Sequence, residues 1–157
     1  MKNDFLKYQA QTSPYPLGME VSHAKGSYIY DSSGKNYLDF VAGVSACTLG
    51  HQNQRVNDAI KAQLDKYSHV MVYGEYAQQP SVDFCKLLVQ HLPDSLNQVY
   101  LVNSGTEATE GALKLARRIT GRSQLISCHN AYHGNTMGSM SVMGFEERKQ
   151  VFRPLIP

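Results

Sequence analysis

The chain has 157 residues, of which 42% are hydrophobic and 18% are charged, a balance that is typical of a globular domain and excludes a disordered chain. Its formal net charge is only +2, and the 15 basic residues are scattered along the sequence instead of forming a run. We therefore expect no nucleic-acid partner, because such partners select a basic patch or tail.

The first 50 residues are predicted to form a small N-terminal lobe. Residues 1–25 are expected to be an irregular or partly helical arm, since Pro14 and Pro16 exclude regular structure between them. Two short aromatic and β-branched runs, residues 27–30 and 36–40, flank a turn with the sequence Asp31-Ser-Ser-Gly-Lys35. This arrangement predicts a β-hairpin.

An α/β domain is predicted from residue 51 onward. Val56, Ile60 and Leu64 recur every four positions, which predicts a helix over residues 53–67. A second helix is predicted from Pro80 to about Leu92, because proline is favoured in the first turn of a helix.

The next three elements form a predicted βαβ unit. Residues 98–102 and 124–128 are apolar runs typical of buried strands. Between them, residues 106–120 have one apolar face, end near two arginines that complement the helix dipole, and are followed by Gly121 as a stop. Strand, helix and strand in this order predict a mostly parallel sheet with helices on its faces.

The turn between the first of these strands and its helix is the strongest candidate for a binding site. Free N–H groups at a helix start bind anions, and Gly105 lets the backbone approach a phosphate while Ser104 and Thr106 supply hydroxyl donors. Ser104 and Glu107 equally fit a capping box that serves only the helix. Local chemistry leaves both interpretations open, and neither a P-loop nor a dinucleotide fingerprint is present.

The loop at residues 128–136 follows the second predicted strand and is expected beside the first turn, because neighbouring parallel strands end at the same edge of a sheet. Tyr132 is either a stacking partner for a flat heteroaromatic ring or a half-buried loop aromatic. His129 and His133 are four positions apart, but Gly134 and the flanking asparagines argue against a helical metal face. We therefore predict no metal site.

Cellular location is predicted from the cysteines and from hydropathy. Cys47, Cys85 and Cys128 are an odd, widely spaced set without a CxxC pair, which favours a reducing compartment. No stretch approaches the roughly 20 apolar residues of a spanning helix, and residues 1–10 have no apolar signal-peptide core. The expectation is a cytoplasmic protein without a membrane partner.

Three sequence blocks, in their order and spacing, resemble the class III aminotransferases. The blocks are Tyr37-Leu-Asp-Phe40 with Leu49-Gly-His51, Asn103-Ser-Gly-Thr-Glu-Ala108, and Tyr132-His-Gly134. The resemblance implies fold type I, the aspartate-aminotransferase-like α/β architecture, in a homodimer with active sites at the subunit interface. Residues 1–50 then correspond to the N-terminal lobe and residues 51–157 to the first part of the cofactor-binding large domain. The apolar, proline-punctuated ending at 151–157 predicts that the chain is truncated.

The resemblance also implies pyridoxal 5'-phosphate as cofactor and assigns residues to its site. Expected at the cofactor are Ser104, Gly105 and Thr106 for the phosphate, and Tyr132 and His133 for the ring and its loop. Expected at the substrate pocket are Val44, Ser45 and the segment Val72-Tyr73-Gly74. Glu107 and Glu110 occupy acidic positions of the family on the same helix, with Glu107 as a cap or support.

Two departures from the family pattern narrow the expected function. Asn135 stands where the ornithine and acetylornithine branch usually has an arginine that binds a substrate carboxylate, and a neutral amide lacks that charge-assisted fork. The Schiff-base lysine, and the acidic residue that pairs with the ring nitrogen, are expected beyond residue 157. We therefore assign no catalytic residue to this chain and expect it to be inactive alone.

The function implied by the resemblance is transfer of an amino group from an ω-amino acid or amine donor to an oxo acid such as 2-oxoglutarate or pyruvate. One alternative is other chemistry on the same cofactor and fold, as in an aminomutase or decarboxylase. The other is a non-enzymatic α/β module that binds a phosphate ligand.

Overall fold

The computed structural model describes residues 1–71 and 73–156. Contacts divide the chain into two compact units, which we call the N-terminal unit, Met1–Tyr76, and the C-terminal unit, Ala77–Pro157. The lobe boundary at residue 50 concerns the complete fold and stays a prediction. Within the described ranges, no helix has both the length and the apolar character needed to cross a bilayer.

The N-terminal unit contains a three-stranded antiparallel sheet in the order β1 (Val21–Lys25), β2 (Tyr28–Asp31) and β3 (Asn36–Leu38). The predicted hairpin is confirmed, since β2 pairs with β3 and places Tyr28 opposite Leu38. Its turn is fixed by Asp31, whose Oδ1 accepts hydrogen bonds from the backbone N–H groups of Ser33 at 2.9 Å and Lys35 at 3.0 Å. Aspartate favours turns through this kind of local bond.

The arm at residues 1–25 is more ordered than the sequence indicates. Helix α1 (Lys2–Tyr8) agrees with a partly helical arm, but the expectation of irregular structure up to residue 25 is wrong because β1 lies there. Strand β1 pairs with β2, and the rings of His23 and Tyr30 stack with centroids 4.4 Å apart. Cross-strand pairs of this kind stabilise a strand whose own sequence gives little signal.

Helical periodicity predicts most of the helices well. Helix α3 (Gln54–Leu64) lies inside the predicted range and begins after Asn53, whose side chain accepts a hydrogen bond from Val56 N at 3.3 Å. Helix α4 (Gln79–Val89) has Pro80 in its first turn as predicted, but it ends three residues before Leu92. Helix α5 (Gly105–Thr120) ends at Gly121, which adopts the left-handed conformation with φ 66°.

Four short elements lie outside the predicted helices and strands. They are α2 (Ala42–Ser45), α6 (Met137–Ser141), α7 (Glu146–Lys149) and a 3-10 turn (Gln150–Phe152). Burial in the C-terminal unit is deepest around α6, where Ser139, Met140 and Met143 are buried.

The two predicted buried strands, residues 98–102 and 124–128, form no β-ladder within residues 1–71 and 73–156. Their side chains are not buried either, since Tyr100 is 84% exposed and Ile126 is fully exposed. Strands that are consecutive in sequence are spatial neighbours in only about two-thirds of cases, and an apolar run without a hydrogen-bonded neighbour gains nothing from strand geometry. Among the described residues, the two runs are therefore neither paired with each other nor buried, contrary to the predicted βαβ unit.

Candidate functional site

The turn that begins α5 has the geometry of a helix cap. Ser104 is extended, with φ −152° and ψ 160°, and its Oγ accepts a hydrogen bond from Glu107 N at 3.3 Å. The Glu107 carboxylate reaches back and accepts from Asn103 N at 2.7 Å. The capping interpretation is confirmed, with the glutamate bonded one residue earlier than in a standard capping box.

Capping leaves part of the helix start available to a ligand. The N–H groups of Gly105 and Thr106 have no acceptor among the described residues. A Cβ placed on Gly105 would have no atom within 4 Å, so the space in front of this turn is open. The Ser104 hydroxyl accepts a bond but keeps its own hydrogen to donate. These groups fit an anion such as a phosphate, because helix starts present unpaired donors and a positive dipole end.

A cluster of three hydroxyls and one carboxylate joins α5 to the segment that leads into α6. Thr106 Oγ1 lies 2.9 Å from Thr136 Oγ1 and 2.7 Å from Ser139 Oγ, and the latter two oxygens are 2.8 Å apart. Glu110 accepts hydrogen bonds from the Thr136 hydroxyl and, at 3.0 Å, from Ser139 N. We call Thr106, Glu110, Thr136 and Ser139 the hydroxyl–carboxylate cluster.

The charge of Glu110 is stabilised by this cluster. The hydrogen bond from Thr136 is the main cause that lowers the pKa of Glu110 below its usual value of 4.5, and the backbone N–H groups of Ser139 and Gly138 act in the same direction. Burial opposes them by disfavouring the charged form. Glu110 is therefore a charged acceptor at neutral pH.

The two residues predicted at the cofactor ring lie in the same unit as the turn. Tyr132 is 52% exposed, and its side chain forms no hydrogen bond within the described part of the chain. His133 is half-buried and precedes Gly134. A Cβ placed on Gly134 would lie only 2.2 Å from Thr106 Oγ1, so the loop backbone runs very close to that side chain. The structure thus brings the Tyr132 loop close to Thr106, as expected from the sequence, although the two predicted strands do not pair with each other.

The residues predicted at the substrate pocket lie in the N-terminal unit. Val44 and Ser45 belong to α2, where φ is positive at four successive residues from Ala42 to Ser45, including 57° at Val44. A β-branched residue in this left-handed region is a genuine outlier, and such strain clusters at functional sites. Val44 is 87% exposed, so nothing in the described chain covers its side chain.

Two residues of the motif blocks hold this left-handed turn. Asp39 Oδ1 accepts hydrogen bonds from the N–H groups of Val41 at 3.1 Å and Ala42 at 2.8 Å, while Oδ2 is 2.7 Å from His51 Nε2. His51 is itself anchored to the sheet unit by paired backbone bonds with Gly26 at 2.8 and 3.0 Å. The Asp39–His51 pair therefore closes the loop that contains Val44 and Ser45.

Sequence reasoning placed no function on Asp39, His51, Thr136 or Ser139. Asp39 and His51 belong to the first of the three sequence blocks, so a carboxylate and an imidazole at this spacing could have indicated a paired role. Thr136 and Ser139 gave no such indication, because a hydroxyl three residues from another in a glycine-rich loop is common. For Tyr73, the structure shows an exposed side chain, and Val72 lies outside the described residues.

We predict that Asp39 makes stability dependent on pH in the acid range. The hydrogen bond from His51, followed by that from Ala42 N, lowers the pKa of Asp39 below its usual 3.8. A carboxyl whose pKa is lowered by folding stabilises the fold above its unfolded pKa, and that stabilisation is lost as pH falls through the folded value. The urea midpoint of Asp39→Asn should therefore be below that of the wild type at pH 7, with the gap narrowing as pH falls below 4.

The matched control for this prediction is Asp94→Asn. Asp94 is exposed, and its carboxylate forms no hydrogen bond or ion pair within the described ranges. Its midpoint should follow the wild type across the same pH series. A gap between Asp39→Asn and wild type that stays constant with pH would contradict the role of the ionised carboxylate.

Comparison with known proteins identifies the family of this chain. The sequence profile of the class-III aminotransferases matches residues 8–157. An uncharacterized aminotransferase of Bacillus subtilis, YodT, is 40% identical over 151 residues, which cover 92% of this chain and 33% of the relative. An acetylornithine aminotransferase of Methanopyrus kandleri is 37% identical over 96% of this chain and 38% of its own length. The chain thus spans about a third of the curated relatives it matches.

Solved structures give the same result for the fold. The adenosylmethionine-8-amino-7-oxononanoate aminotransferase from Methanocaldococcus jannaschii superposes with a TM-score of 0.90 at 32% identity, over 99% of this chain and 38% of that one. An omega transaminase from Pseudomonas jessenii, solved in complex with PMP, superposes with a TM-score of 0.89 at 25% identity, over 100% of this chain and 37% of that one. The predicted α/β fold class is confirmed.

Proposed function

The chain belongs to the class III aminotransferase family, and from this premise we propose that it supplies the phosphate-binding turn and the ring-stacking face of a pyridoxal-phosphate-dependent aminotransferase. The activity is proposed for the complete protein, since the chain spans about a third of its curated relatives. We propose that the lysine that carries the cofactor belongs to a part of the family fold that these 157 residues do not span.

The observation that carries the proposal is the open helix start at α5. Two N–H groups, those of Gly105 and Thr106, have no acceptor within the described residues, although Ser104 and Glu107 already cap the helix. The space in front of Gly105 is open, so a ligand can reach both N–H groups. A phosphate bound there accepts both N–H groups and the Ser104 hydroxyl, and the helix dipole stabilises its charge.

The remaining residues orient the cofactor and the substrate. Tyr132 would stack on the pyridine ring and His133 would shape the loop that carries it. Val44, Ser45 and Tyr73 would border the substrate pocket. When bound, the cofactor supplies the electron sink for the reaction, and the protein supplies binding, orientation and electrostatics. The left-handed turn at Val44 supports its assignment, because strain of this kind is retained where a function requires it.

We propose an ω-amino acid or an amine as donor and an oxo acid, such as 2-oxoglutarate or pyruvate, as acceptor. Asn135 supports a donor other than an ornithine-type one, since its amide offers no charged fork to a substrate carboxylate. The relatives include both acetylornithine aminotransferases and omega transaminases, and thus span both donor classes. An aminomutase or decarboxylase on this fold would share the phosphate-binding turn and would differ elsewhere in the protein.

Assembly and location are also part of the proposal. We propose a homodimer from the family resemblance. A cytoplasmic location is supported by three cysteines, Cys47, Cys85 and Cys128, that are free in the structure.

The decisive experiment is Gly105→Ala in the complete protein, titrated with pyridoxamine 5'-phosphate, which forms no imine with a lysine. The new methyl meets no protein atom, so folding should be unaffected, but it would occupy the space that the phosphate needs. Loss of the close backbone contact should raise the Kd about tenfold or more, as expected for a charge-assisted hydrogen bond.

The matched control is Gly111→Ala on the same helix. Its Cβ would lie 4.0 Å from Tyr100 Cε1, an ordinary contact, and alanine should stabilise the helix by up to about 1 kcal/mol. Its Kd should equal that of the wild type. Equal affinity in Gly105→Ala and Gly111→Ala would leave the turn with its capping role alone and would sink the proposal.

A further inference from the structure

Glu110 lies one helical turn beyond Thr106 on α5, yet its bonds go to a different segment of the chain. Its carboxylate accepts from the Thr136 hydroxyl and from Ser139 N, which are 26 and 29 positions away. Thr106, which belongs to the proposed phosphate turn, touches the same two residues through its hydroxyl. The segment they hold begins directly after Tyr132 and His133.

We propose that Glu110 is a positioning residue that sets the placement of the Tyr132 loop relative to the phosphate-binding turn, and so sets the cofactor-binding geometry. The inference rests on the proposed function, since it takes Ser104–Thr106 and Tyr132 as the two parts of one cofactor site. The Glu110 carboxylate forms no hydrogen bond with Ser104, Gly105 or the Tyr132 side chain within the described residues.

The Glu110 carboxylate determines which hydroxyl of the cluster donates to which. An ionised carboxylate can only accept, so Thr136 donates its single hydrogen to Glu110 and its oxygen can act only as an acceptor towards Thr106 and Ser139. Glu110 thus fixes the orientation of the Thr136 hydroxyl, and through it the partners left for the other two hydroxyls. A carboxylate that is missing would leave Ser139 N, at a residue with no exposed surface, without an acceptor.

The Tyr132 loop and the start of α6 pack tightly against α5. Cβ atoms placed on Gly134 and Gly138 would lie 2.2 Å from Thr106 Oγ1 and 2.2 Å from Glu110 Oε2, so the two backbones approach as closely as glycine permits. Apolar packing tolerates small shifts, whereas a satisfied polar cluster in such a contact selects one arrangement. We therefore expect a substitution of Glu110 to shift the Tyr132 loop, because the close contact leaves no room for a local rearrangement.

The test uses the complete protein and three variants of the cluster. Glu110→Met keeps the length of the side chain and removes both acceptors, while Glu110→Gln keeps an Oε1 that can accept from Thr136 and from Ser139. Thr136→Val removes only the donor hydroxyl. It tests the same hydrogen bond if Glu110→Met fails to fold. Asn53→Ala, which removes the cap of α3 in the other unit, controls for destabilisation unrelated to the cluster.

Two quantities are measured for each protein: the Kd for pyridoxamine 5'-phosphate, and the amide hydrogen exchange of residues 132–140 without ligand. We expect Glu110→Met to raise the Kd about tenfold and to accelerate exchange, because a buried donor loses its acceptor. Thr136→Val should act in the same direction, and Glu110→Gln should stay within about threefold of the wild type. Asn53→Ala should change neither quantity.

The outcomes separate the inference from the proposed function. If the wild type binds the ligand and Glu110→Met or Thr136→Val binds equally well, Glu110 serves stability alone and the inference is overturned. If the wild type itself does not bind, it is the proposed function that fails. An effect of Glu110→Met combined with near-normal binding by Glu110→Gln supports the positioning role, which a general loss of stability would not reproduce.

Discussion

Gly134→Ala is expected to destabilise the C-terminal unit by about 3 kcal/mol, from steric overlap and backbone strain together. Gly134 is buried and has φ +126°, a conformation that residues with a Cβ rarely adopt. The added Cβ would lie 2.2 Å from Thr106 Oγ1 and 2.8 Å from Ser139 Oγ, far inside van der Waals contact. Either the Tyr132 loop moves away from α5 or the hydroxyl–carboxylate cluster opens.

Urea unfolding of the ligand-free protein measures this loss. Gly34→Ala is the control, because Gly34 also has a positive φ, +86°, but a Cβ there would meet no atom within 4 Å. It should cost only the strain of about 1 kcal/mol. Equal losses in the two variants would show that the close approach of Gly134 to Thr106 does not limit stability.

The parts of the fold that follow from local chemistry were predictable from sequence. Asp31 fixes its turn through bonds to residues two and four positions away, and α3 is defined by apolar periodicity and its Asn53 cap. The cap at Ser104 belongs to the same class, since all of its bonds span four residues or fewer. In each case, the hydrogen bonds that define the element join residues no more than four positions apart.

The parts that were missed depend on partners far away in the sequence. The bonds of the hydroxyl–carboxylate cluster between α5 and the α6 segment span 26 to 33 positions, and nothing local marks Thr136 or Ser139. Strand β1 likewise exists through its pairing with β2. The apolar runs at 98–102 and 124–128 were over-interpreted for the converse reason, since apolar sequence without a paired neighbour does not make a strand.

The capping and phosphate-binding interpretations of the Ser104–Glu107 turn are compatible, because they would use different atoms. The cap uses Glu107 N and Asn103 N, whereas an anion would use the N–H groups of Gly105 and Thr106. Sequence cannot separate these uses, since the same four residues satisfy both patterns. The structure separates them by showing which donors are already bonded.

Tyr132→Ala is expected to raise the Kd for pyridoxamine 5'-phosphate by about tenfold to a hundredfold, since stacking on an aromatic side chain contributes roughly 1–3 kcal/mol per ring. Its effect on folding should be small, because Tyr132 is 52% exposed and its hydroxyl has no hydrogen bond in the described part of the chain. Binding and urea unfolding are measured on the same preparation. Tyr132→Phe keeps the ring and should match the wild type in both.

Tyr100→Ala is the matched control, since Tyr100 is an even more exposed tyrosine of the same unit and has no place in the proposed site. Its Kd should be that of the wild type. The alternative view of Tyr132 as a loop aromatic that serves packing predicts the reverse pattern: lower stability in Tyr132→Ala with unchanged affinity. Because the side chain is half open to solvent, packing alone gives little reason for a tyrosine there, whereas a ring that stacks on it would bury the open face.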